Sequence, residues 1–218
     1  MDVRRFRVVV AALAVLGAVL EPPAPAEAGT PTEQLRSQID RVVKVLDDPE
    51  LKKEGRALER RRAVRKIADE IFDFGETAKR SLARHWQART PAEREEFVAL
   101  FADLLERSYI GKIELFNGEK ISYLGEQVEG DQAVVRTKVI TRQGTEIPVD
   151  YRMLRRGDRW LVYDVVIEGV SLVANYRTQF NKIIQTSSYQ ELVKKMKTKQ
   201  EEFLEQEKQA PPGRRTTS

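Results

Sequence analysis

Helices at both ends of a run of short strands predict an α+β fold for this chain: an antiparallel four-stranded meander sheet covered by N-terminal and C-terminal helices. Three observations carry that expectation. Helix-capping signatures stand at Thr30, Thr90 and Ser188, each followed by apolar residues at helical spacing. After Asn117-Gly118 the apolar period changes to two. The strand segments that follow are joined by short glycine-containing turns, which suit antiparallel neighbours.

The elements follow in order. Thr30-Pro31-Thr32-Glu33 is a capping box with proline at the first helical position, and Leu35, Ile39, Val42, Val43 and Leu46 share one face behind it. Asp47-Asp48-Pro49 stops this helix and starts a short one that Gly55 interrupts. Arg56 to Phe72 is helical, with Val64, Ile67, Ala68 and Ile71 inward and Arg60-Arg61-Arg62 on a solvated face. Phe74 to Ala88 is a further amphipathic segment, with Leu82 and Trp86 on one side. Thr90-Pro91-Ala92-Glu93 opens the clearest helix, striped by Phe97, Leu100, Phe101, Leu104, Leu105 and Tyr109. The strands read as Ile121 to Val128, Gln132 to Arg142, Thr145 to Arg155 and Arg159 to Ile167. Pro148 implies an amide that no partner needs. From Val170 the chain is helical to about Gln185, and Ser188-Tyr189-Gln190-Glu191 caps a last helix carrying Leu192, Met196 and Phe203.

The ends are of a different kind. Arg4, Arg5 and Arg7 precede an apolar run from Val8 to Leu20, and Ala26-Glu27-Ala28 offers small residues for cleavage. This is the pattern of a secretory signal peptide over residues 1–28, so the mature protein is expected to be soluble and exported. A single domain is expected over 29–205. Residues 206–218 are expected to be a disordered tail, because they lack apolar residues.

Composition narrows the chemistry. There is no cysteine, so disulfides, thiolate zinc sites and cysteine nucleophiles are excluded. The formal charge is +4 and the charged residues, 33% of the chain, alternate in sign, so no dense patch invites nucleic acid. His85, the only histidine, sits in a helical segment beside Trp86 and reads as structural. Gly169-Val170-Ser171-Leu172-Val173 lacks the second glycine of a hydrolase elbow, so Ser171 reads as a helix cap. Asp150 and Asp164 lie on adjacent strands, with Arg152 available for a cross-strand ion pair. No phosphate loop or metal-ligand spacing is present. The expectation is a non-enzyme without a cofactor.

What the chain has in excess is apolar side chains. Trp160, Val162 and Val166 on one side of the fourth strand, and Leu161, Tyr163, Val165 and Ile167 on the other, make both its faces apolar. Such a sheet is covered on both sides or curved around something. Two readings follow: simple core packing, or an apolar cavity between sheet and helices of the kind that holds small molecules or lipid.

Three blocks carry a resemblance. They are Phe97 to Phe101 with Leu104, Leu105 and Tyr109; Trp160 through Asp164, Glu168 and Gly169 to Leu172; and Asn175 to Phe180. Asp73-Phe74 and Trp86 add to them. From about Thr32 to Phe203 the chain resembles the MlaC-like family of periplasmic phospholipid-binding proteins, the toluene-tolerance or ABC-transporter auxiliary proteins. The resemblance implies a soluble carrier whose cargo is phospholipid. Its partners would be an inner-membrane ABC transporter complex and an outer-membrane lipoprotein complex, each met transiently. Acyl chains would insert between sheet and helices. The candidate lipid-binding residues are Phe97, Phe101, Leu104, Leu105 and Tyr109 from the striped helix. Val149, Tyr151 and Val162 come from the sheet, and Val173, Tyr176 and Phe180 from the helix after it. A hopanoid or other lipid as cargo, and an exported interaction module with a filled core, are the alternatives.

Overall fold

A computed structural model describes residues 29–53 and 55–209, with side chains as far as 205. The leader expected over 1–28 lies outside the described residues, as does the chain from 210 onward.

Six helices and one sheet make up the described chain: α1 Pro31–Asp47, α2 Ala57–Ile71, α3 Phe74–Leu82, α4 Pro91–Glu114, α5 Leu172–Thr186 and α6 Tyr189–Gln209. The strands are β1 Lys120–Glu129, β2 Gln132–Ile140, β3 Glu146–Arg156, β4 Arg159–Ile167 and β5 Val170–Ser171, in spatial order β1-β2-β3-β4-β5 and all antiparallel. The α+β class and the meander are as the sequence predicts. Both capping boxes at Thr30 and Thr90 form, each with its reciprocal glutamate bond.

The sheet has five strands rather than four. Glu168 and Gly169 both adopt positive φ, which turns β4 back on itself so that Val170 and Ser171 pair with Ile167 and Val166. Two residues are too few to show an alternating pattern, so β5 has no signature in the sequence. Two further departures have local causes. Asp48 accepts hydrogen bonds from the amides of Glu50 and Leu51, which makes a turn where a short helix was expected. α3 stops at Leu82, because Ala83 takes a positive φ, and a single 3-10 turn replaces the rest of the expected helix.

Apolar side chains gather in two cores. Leu35, Ile67 and Ile71 of α1 and α2 lie on the face of the sheet that carries Val135, Met153 and Val162. Ala78, Leu82, Phe97, Phe101, Phe180 and Leu192 form a second core made of α3, α4, α5 and α6 alone. α3 joins the two by running along the edge of β4: Phe72 bridges Val162, the Asp73 amide bonds the Val162 carbonyl, and Thr77 Oγ1 donates to the Tyr163 carbonyl.

Candidate functional site

The two cores meet at a seam, and α5 crosses it. Leu172 packs with the sheet core while Tyr176, one turn later, packs with the helical core. Asp164 on β4 anchors this crossing. It is 3% exposed and accepts hydrogen bonds from Ser171 Oγ at 2.6 Å, the Val173 amide at 3.0 Å and Arg152 Nη1 at 3.1 Å. Ser171 Oγ in turn accepts from the Ala174 amide, so the serine caps α5 as its sequence position predicts.

α4 supplies the other side of the seam. Phe97 meets Phe180 with ring centroids 5.5 Å apart, and Phe101 meets Tyr176 at 5.0 Å. Rising residue numbers on α4 thus oppose falling numbers on α5. Tyr109, two turns beyond Phe101, lies close enough to Tyr176 to feel it electrostatically. Beyond Phe101 and Asp103 every residue of α4 as far as Ile110 is only partly buried, although Leu104, Leu105, Tyr109 and Ile110 are apolar or aromatic. The same holds for Val42 and Val45 of α1 and for Val139, Ile147, Tyr151 and Ile167 on the inner sheet face. Buried cores leave few such residues half-covered. These residues border the two cores as apolar surface that stays partly open to solvent.

Tyr151 shows this most directly. Its hydroxyl is deep enough that burial raises its pKa well above the ordinary tyrosine value, yet its side chain keeps accessible surface. Tyr123, on the same face, has a fully buried hydroxyl without a hydrogen-bond partner, and burial pushes it up to about 12. Burial also raises Tyr109, with a smaller contribution from Tyr176.

Arginine–carboxylate pairs close one side of the seam. Arg60 and Arg61 of α2 reach Glu114 at the end of α4, at 2.9 and 3.1 Å, and Arg65 pairs with Glu106. α2 and α4 meet through these long side chains rather than through backbone packing. Local pattern puts Arg60 to Arg62 on a solvated face, but Arg60 and Arg61 are partly buried against Glu114. The pairs span 41 to 54 residues, so no local pattern announces them.

The candidate lipid-binding residues divide accordingly. Leu104, Leu105, Tyr109, Tyr151 and Tyr176 stand at the seam, half-buried. Phe97, Phe101 and Phe180 (0, 1 and 3% exposed) are packed inside the helical core, and Val162 (0%) and Val149 inside the sheet core. Val173 is buried beside Asp164 at the start of α5. Leu172, Val139, Ile147 and Ile167 stand with the seam group and were not among the candidates. Two hollows lie away from these residues. One is an open groove of about 400 Å³ along the charged outer side of α1, between Glu33 and Lys44, and the other a crevice of about 20 Å³ near Gln34 and Trp160.

Nothing in this geometry assembles a hydrolase. His85 Nε2 lies 2.9 Å from Asn181 Oδ1, ten residues along α5 from Ser171, or about 15 Å at 1.5 Å per residue. Asp164 takes Arg152 as its partner, as the register Arg152↔Asp164 requires. Among the described residues no group of three or more His, Asp or Glu side chains is arranged to hold a metal ion. No described helix is long and apolar enough to cross a membrane.

The fold has a known counterpart. A solved structure of a phospholipid-binding protein from Ralstonia solanacearum, in complex with a phospholipid, superposes with a TM-score of 0.69 at 24% identity, over 78% of this chain and 96% of that one. The intermembrane phospholipid transport system binding protein MlaC of Haemophilus influenzae is 26% identical over 120 residues. That alignment takes in 53% of this chain and spans only 56% of the relative's length. The MlaC protein family profile matches residues 36–198, which include the helical core and, apart from Leu35, the sheet core. The chain belongs to the MlaC protein family.

Proposed function

We propose that this protein is a periplasmic lipid carrier. It holds the acyl chains of a glycerophospholipid in the seam between sheet and helices and carries the lipid between membranes. It hands the lipid between an outer-membrane lipoprotein complex and an inner-membrane ABC transporter complex, docking briefly at each. The observation that carries this reading is the half-buried apolar lining of the seam, from Leu105 and Tyr176 on one side to Ile147 and Tyr151 on the other. The names of the two similar proteins support it: one is a phospholipid transport binding protein and the other was solved with a phospholipid.

The energetics need no catalytic group. Each methylene withdrawn from water is worth about 0.8 kcal/mol, so two acyl chains are held by burial alone. Docking must stay weak, because tight binding at either membrane would stall a shuttle. Transfer of a fluorescent phospholipid between donor and acceptor vesicles tests the reading. The transfer rate should rise in proportion to protein concentration. A rate that stays at the protein-free value at every concentration would overturn it.

A further inference from the structure

Arg60 joins three segments at one corner of the molecule. Its guanidinium donates to the Leu51 carbonyl at 3.0 Å and to Glu114 at 2.9 Å, so the turn after α1, the start of α2 and the end of α4 meet there. Arg142 adds the turn between β2 and β3 by donating to Asn117 Oδ1 at 2.9 Å. Three of the seven large apolar side chains exposed among the described residues collect at this corner. Leu58 lies two residues before Arg60, and Ile113 and Leu115 flank Glu114, with Leu115 77% exposed. Residues 49–62, 111–120 and 141–145 hold nine Lys or Arg against five Glu, a net +4 that equals the formal charge of the whole chain. The remainder of the chain is therefore neutral in balance. Arg62, Lys112 and Lys120 are exposed and pair with no described carboxylate.

We propose that this corner is a docking surface for an anionic membrane. Leu58, Ile113 and Leu115 enter the boundary between headgroups and acyl chains, while Arg62, Lys112 and Lys120 meet lipid phosphates. Long basic side chains suit this role, because their stems lie along apolar surface while their heads reach the charged layer. Charge selects the occupant. A positive corner on an otherwise balanced molecule fits a negative lipid surface, which adds about fivefold in affinity for each Lys or Arg brought to it. A protein partner fits less well. Protein interfaces draw on aromatic residues and leave out lysine, whereas the exposed apolar groups here are aliphatic and two of the three free cations are lysines. This surface does not require that the seam hold lipid.

Flotation of the purified protein with vesicles tests this. One set is phosphatidylcholine alone, and the other is phosphatidylcholine mixed with phosphatidylglycerol. Three free cations predict binding to the mixed set about 100-fold tighter than to the neutral set. High salt should remove that preference, because exposed charges are screened. The Arg62→Gln, Lys112→Gln, Lys120→Gln triple variant should lose most of it. Leu58→Ser with Leu115→Ser should weaken binding to the mixed vesicles several-fold. Neither change should move the melting temperature, because all five side chains are exposed. Val128→Ser, at an exposed position eight residues along β1 from Lys120, should float like the parent. Binding that ignores phosphatidylglycerol, or corner variants that float like the parent, would overturn the proposal. A parent that floats with neither set would also overturn it and leave the corner to an acidic protein partner. A protein that floats with the mixed vesicles but carries no lipid would support this surface and overturn the carrier reading alone.

Discussion

Asp164 ties β3, β4 and the start of α5 together. One buried carboxylate satisfies the first amides of α5 through Val173, orients the Ser171 cap and pairs with Arg152. Hydrogen bonds to a charged group are worth about 1.5–3 kcal/mol each, and removal of one partner of a buried pair costs about 3–5 kcal/mol. Asp164→Ala should therefore lower stability in urea by about 3–5 kcal/mol, and Ser171→Ala by about 1 kcal/mol. The cap at Ser171 was legible in the sequence because it is local. The partners of Asp164 were half legible: the strand register offered Arg152, but the link to the Val173 amide depends on the turn at Glu168-Gly169. The tyrosines make a second prediction at this scale. Burial holds Tyr123 and Tyr189 in the neutral form up to about 12, against an ordinary value of 10. Their contribution to stability is complete below pH 10 and is lost as the pH rises from 10 through 12, because only the unfolded chain ionises readily in that window. Ultraviolet titration of tyrosinate should show these two groups ionising late, together with falling stability.

Among the elements, α4 has the most divided role. Its first half is core: Phe97→Ala should cost about 3–5 kcal/mol, as the loss of a fully buried aromatic does. Its second half borders the seam, so Leu105→Trp should leave stability nearly unchanged while blocking lipid loading. A charge at Phe101 or Val162 would unfold the protein rather than report on binding, because both are sealed in packed cores. Tyr176 is the informative position of that kind. The single stripe from Phe97 to Tyr109 hides this division, because helical spacing shows which residues share a face and not what stands opposite them. The clasp from α2 to Glu106 and Glu114 is an element-scale device of the same seam. Its pairs are partly exposed, between the roughly 1 kcal/mol of a surface pair and the 3–5 of a buried one. Glu114→Gln should speed phospholipid uptake from vesicles several-fold, and added salt should speed the parent protein more than the variant, which keeps only the Arg65–Glu106 pair.

At the scale of the whole molecule, one chain builds two cores and leaves the space between them partly covered. The class and the strand meander were legible because periods of 3.6 and 2, capping boxes and glycine turns are all local signals. The excess of apolar residues on β4 announced cover on both faces, and α1 with α2 on one side and α5 on the other provide it. The split into two cores was not legible, since it depends on Leu172 and Tyr176 turning to different neighbours one helical turn apart. A carrier needs this arrangement: stable walls, and a joint whose apolar surface a lipid can finish covering. The most direct test is organic extraction of the purified protein after incubation with phospholipid vesicles, followed by mass spectrometry of the extract. A lipid-carrying role predicts about one phospholipid per chain, and none for the Leu105→Trp variant at equal stability. A protein that yields no lipid, or a Leu105→Trp variant that loads as well as its parent, would contradict it.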